Sequence, residues 1–240
     1  MTEQLQRDNV QEVQPSGASP EYAAIPPPLT EDLALAHLKN RDLTADAIEE
    51  IAQNLGVMKS RKVRGMVAAH PHTPRRIALR LIRELYTFEL MRFALTPSAA
   101  ADLRRIAEEL LLSRLASITL GERISLARSS SERVAGALLL DKETPVWHAA
   151  VENPRLTEKA IVSALHRTAA MAAFVECVSH HPRWSVRAEV RMALLRNAHT
   201  PLGRAIEFAR RLPPARLRDV LHTSRLPEKI KQYLRKSLEQ

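Results

Sequence analysis

The segments NPRLTEKAI (153–161) and TSRLPEKIK (223–231) share an Arg-Leu-x-Glu-Lys core set seventy residues apart. A chain that writes one short phrase repeatedly is assembled from repeated units, which restricts it to an array rather than a single wrapped core. HPRWSVRAE, from His181, aligns Pro182, Trp184 and Ser185 with Pro154, Leu156 and Thr157. NRDLTADAI, from Asn40, puts Leu43 and Thr44 in the last two of those places. A sister form carries Thr-Pro: HPHTPRRIAL at His70, LTPSAAADL at Leu95, DKETPVWHAA at Asp141 and NAHTPLGRAI at Asn197. A fainter copy, ASITLGERIS, begins at Ala116.

The phrase reads as a helix start. Thr44, Thr157 and Ser185 are of the type that caps free N–H groups, and Leu156, Trp184 and Leu226 are placed to staple the entering chain. In the sister form, Thr73, Thr96, Thr144 and Thr200 are expected to cap while the following Pro takes the first helical position. Helical periodicity follows each phrase, as in Ile161, Leu165, Ala169 and Ala172. No alternating β-branched segment competes, and only six Gly are present among abundant Ala, Leu, Arg and Glu. The expectation is an all-α chain of stacked helical units over 31–240. The Pro- and Gln-rich residues 1–30 are expected to form a disordered tail.

The stretches LLLDKETPVWHAAVENPRLTEKAIVSAL and HPRWSVRAEVRMALLRNAHTPLGRAI resemble the leucine-rich repeat variant pattern, most closely between about 140 and 210. That resemblance implies a right-handed α-α superhelix, a HEAT- or armadillo-like α-solenoid. It implies no iron–sulfur cofactor, because the Cys-rich cluster that can precede such repeats is absent. The family has no single activity, so the resemblance speaks to fold more than to function.

Chemistry is narrowed by exclusion. No P-loop, GxGxxG turn, GxSxG or HExxH occurs, and an enzyme is not expected. The lone Cys177 fits a reducing compartment, and CVSHH (177–181) lacks the second ligand pair a closed metal site needs. No cofactor or metal is expected. No apolar run is long enough to span a bilayer and the N-terminus lacks a signal-like apolar region, so a cytoplasmic location is expected.

Charge is the informative property. The net +9 divides into −3 over 1–30, −4 over 31–58, +7 over 59–92, +2 over 93–195 and +7 over 196–240. Separated basic regions select anionic partners. Arg155, Arg183 and Arg225 hold one place in three aligned phrases and are expected to form a row. Arg75 and Arg76 stand in a first helical turn, where the dipole disfavours cations and an anion would relieve it. Arg187 and Arg191 extend the candidate anion-binding set. The leading reading is a non-enzymatic binding scaffold for a protein partner with an acidic surface. The alternative is a basic solenoid that grips duplex DNA or RNA by its phosphates; 4% aromatic residues argue against single-strand stacking.

Overall fold

The computed structural model describes residues 29–167 and 170–236. The tail expected over 1–30 lies almost wholly outside them; Thr30 caps the first helix by accepting from the Leu33 N–H. Among the described residues the fold is entirely helical. In chain order the pairs are α1 (Glu31–Lys39) and α2 (Ala45–Gln53), α3 (Arg61–Ala69) and α4 (Arg75–Glu84), α5 (Thr87–Ala94) and α6 (Ala101–Arg114). They continue as α7 (Leu120–Ser129) and α8 (Glu132–Leu138), α9 (Thr144–Val151) and α10 (Glu158–His166), α11 (Ala172–His180) and α12 (Ala188–Arg196). The last are α13 (Leu202–Ala209), α14 (Pro214–His222) and α15 (Glu228–Lys236).

Helices this short are marginal alone, so packing must hold them. Most pack on the next helix but one, and several also on the next in sequence. One row runs α1, α3, α5, α7, α9 and α11, with α13 on α15, and a second runs α4, α6, α8, α10, α12 and α14. Between the rows lies one contiguous cluster of buried apolar side chains, among them Ile48, Leu90, Leu126, Phe174, Leu194 and Phe208.

The turns carry the repeat. Eight turn residues accept, through the side chain, the backbone N–H two residues on. These are Asn40, Asn54, His70 and Asp141, then Asn153, His181, Asn197 and Ser224. The side chain tightens the turn as a backbone group would. Most then reach back to the preceding unit. Asn153 Nδ2 donates to the Ala127 and Ser130 carbonyls at 2.8 and 3.2 Å. Asn197 Nδ2 reaches the Leu165 carbonyl at 2.8 Å and Ser224 Oγ the Leu195 carbonyl at 2.6 Å. His70 accepts at Nδ1, so its Nε2–H donates to the Asn40 carbonyl at 2.9 Å. Asp141 has no N–H to donate and instead receives Arg123 Nη1 at 2.6 Å.

These turns fall into two sets. Asn40, His70, Asn153 and His181 close the first helix of a pair; Asn54, Asp141, Asn197 and Ser224 close the second. Phrases only twelve or sixteen residues apart (Asp141 and Asn153, His181 and Asn197) are thus the two ends of one helix.

Helix initiation follows expectation for Thr44 and Thr157, which accept from the Ala47 and Ala160 N–H groups. Trp184 and Leu156 are buried, and Trp184 Nε1 donates to the Val151 carbonyl at 3.0 Å. The Thr-Pro form differs. Pro74 and Pro201 are extended and stand just outside α4 and α13. That sets Thr73 and Thr200 one residue too far out to cap. Their hydroxyls instead donate to the Val67 and Leu194 carbonyls near the ends of α3 and α12, which also accept the His70 and Asn197 N–H groups. Thr96 likewise bonds to the Arg92 carbonyl, whereas Thr144 and Pro145 are the first two residues of α9. Ser185 does not cap either, because an additional turn over 181–185 delays α12 to Ala188.

Asn153 is fully buried. Replacing it with Ala should lower the unfolding free energy by about 2 kcal/mol or more, since three backbone groups lose partners. Asn153→His should cost clearly less, because His70 and His181 already close equivalent turns. Urea unfolding followed by circular dichroism measures both.

Candidate functional site

The basic residues singled out from the sequence divide by what their guanidinium groups touch. Arg75 and Arg76, at the start of α4, are met by Asp102 of α6 and Glu49 of α2. The anion expected at that helix start is supplied by the chain's own neighbouring helices. The same row continues with Arg133 of α8 against Glu108 and Glu109 of α6, at 3.8 and 3.4 Å. Arg105 and then Arg133 hold the Glu109 carboxyl below its usual range. Each exposed pair adds little stability, and Arg80 and Arg83 of α4 and Arg104 of α6 stand outside the ion pairs of the described residues.

Arg155 and Arg183 are bound to backbone. Arg155 Nη1 donates to the Ser129 carbonyl at 3.1 Å. Arg183 donates to the carbonyls of Asn153 at 2.8 Å, Pro154 at 3.2 Å and Leu156 at 2.8 Å, and lies over the Trp184 ring at 4.2 Å. Arg225 is exposed in the α14–α15 turn, on the edge opposite the turns of Arg155 and Arg183. The expected row of three is therefore a pair on one edge and a single residue on the other, because the aligned phrases occur at both ends of helices. Arg191 Nε donates to the Ser185 carbonyl at 2.7 Å, and burial, then Arg211 and Arg204, lower its pKa against the pull of Glu207. Arg187 is exposed at the N-cap of α12.

The other row carries a different feature, a groove of about 660 Å³ along α3 between α1 and α5. Its apolar lining comes from Leu35 and Leu38 of α1, Met66 and Ala69 of α3, and Phe93 of α5. Gly65 also lines it, and a Cβ there would meet no atom within 4 Å. Around the lining stand Lys39, Arg41, Arg61, Lys62 and Arg92. One carboxylate joins them, Glu89, whose Oε2 already accepts the Tyr86 N–H at 2.9 Å. Arg61 lies over the Tyr86 ring at 4.5 Å. Among the described residues no ion pair joins Lys39, Arg41, Lys62 or Arg92 to a carboxylate.

Sequence reasoning located the 59–92 basic region but not this groove. The available signal was Gly65 inside a helical pattern, a residue that weakens a helix unless its lack of a side chain is used. What the pattern could not give is the packing of α1, α3 and α5 side by side.

The CVSHH residues point apart. His181 Nε2 faces Glu152 at 3.1 Å while its Nδ1 accepts the Arg183 N–H, and His180 Nδ1 lies 3.0 Å from the Glu176 carbonyl. Cys177 is half-buried in α11. Burial, and then Glu152, push its thiol pKa up. A raised pKa means less thiolate at a given pH, so alkylation at pH 8 should be at least about tenfold slower in the folded chain than in urea. Mass spectrometry of a timed iodoacetamide reaction reads this directly.

No described helix is long and apolar enough to cross a membrane. No family model, curated protein or solved structure matches this chain.

Proposed function

We propose that the chain is a non-enzymatic binding scaffold, an α-solenoid of the HEAT and armadillo kind, whose ligand is a protein with an acidic surface. The observation that carries this reading is the ring of cations around the groove that no carboxylate pairs. On the other row Arg75, Arg76 and Arg133 are met by neighbouring carboxylates, whereas around the groove four cations face solvent without one. The groove also has an apolar floor, which a protein surface can bury and a phosphate backbone cannot use. The packing of helices on next-but-one neighbours and the repeating turns support the solenoid reading, as does the resemblance to the leucine-rich repeat variant pattern.

Duplex nucleic acid is the competing ligand, and the exposed Arg187, Arg216, Arg218 and Arg225 are available to it. The full chain titrated by fluorescence anisotropy against acidic peptides bearing apolar residues, and against duplex DNA and RNA, separates the two. Lys62→Glu with Arg92→Glu should weaken peptide binding by about tenfold or more. Tighter binding to duplex, steeply weakened by salt and unchanged in that variant, would replace the protein reading with the nucleic-acid one.

A further inference from the structure

We infer that the element received by the α1–α3–α5 groove is a short amphipathic helix with carboxylates at both ends of an apolar stripe. This rests on the reading of an acidic protein partner and specifies the shape of what binds.

The first argument is backbone hydrogen bonding. The groove walls are α1, α3 and α5, whose peptide groups bond within their own helices. They offer no strand edge to an incoming chain. An extended segment laid on Leu35, Met66, Ala69 and Phe93 would therefore bury N–H and C=O groups without partners. A helix satisfies its own and brings only side chains to the floor.

The second is shape. The floor is α3, nine residues and about 13 Å long. Gly65 and Ala69, four residues apart, form a shallow strip on one face, with Met66 beside it as an adaptable wall. An apolar stripe at i, i+3 or i+4, and i+7 spans about the same length and can lie along that strip.

The third is the placement of charge. Arg61 and Lys62 are the first two residues of α3, at one end of the groove. Lys39 ends α1, Arg41 follows it, and Arg92 stands in the last turn of α5, at the other. The complement is carboxylates before and after the stripe, not one continuous acidic face.

The test uses the full chain and a designed peptide of about four turns with Glu at both ends and Leu at the stripe positions. Its control has the same composition in scrambled order. The inference requires the patterned peptide to bind at least about tenfold more tightly than the control, and Gly65→Leu to remove that difference by filling the strip. Should Gly65→Leu not fold, the ¹³C-methyl signal of Met66 in the wild-type chain decides: it must move with the patterned peptide while that of Met192, in α12, stays. Equal binding of both peptides overturns the helix and leaves the acidic partner standing. Binding of neither overturns both.

Discussion

The hydrogen bond on which this architecture depends is made by the side chain that closes each of eight turns. Asn153 shows it in full: one amide group holds the Arg155 N–H and two carbonyls at the end of the preceding unit. Helix ends leave carbonyls without partners, and a stack of short helices has many. Here the turn of one unit satisfies carbonyls of another, with bonding partners 23 to 32 residues apart. The chemistry is interchangeable within limits. Asn, His and Ser each both accept and donate, and Asp works where Arg123 supplies the donor. The apolar core binds the rows together without direction; these bonds fix how far each unit advances on the last.

The same economy governs the arginines. In a chain of net charge +9, a basic residue is weak evidence of a ligand until its own contacts are known. Arg183 brings three carbonyls together over Trp184, and Arg75 and Arg76 tie α4 to α6 and α2. Their positions in the repeated phrase reflect joints between units. Lys39, Arg41, Lys62 and Arg92 around the groove occupy no such joint, and their charge is left to act on whatever approaches.

Gly65 links fold to function in one residue. A glycine inside a nine-residue helix forgoes roughly 0.5–1 kcal/mol relative to Ala, and no neighbouring side chain fills the space it leaves. Had packing required the gap, a neighbour would occupy it. The gap instead opens to solvent between two apolar walls, where removing water from the half-buried Leu35 and Met66 gives an incoming apolar side chain its driving force.

The sequence by itself determined the helical class and the starts of α2 and α10, because caps and apolar spacing act over a few neighbours. Thr44 and Thr157 cap as their local pattern requires. It could not settle whether Thr73 bonds forward to its own helix or back to the preceding one, since both partners lie within reach and Pro74 decides by its extended conformation. Nor could it place Arg225 on a different edge from Arg183, because the phrase is the same at both ends of a helix. The groove belongs to the tertiary structure alone. Leu35, Gly65 and Phe93 are about thirty residues apart in sequence, and only the side-by-side packing of α1, α3 and α5 brings their faces to one surface.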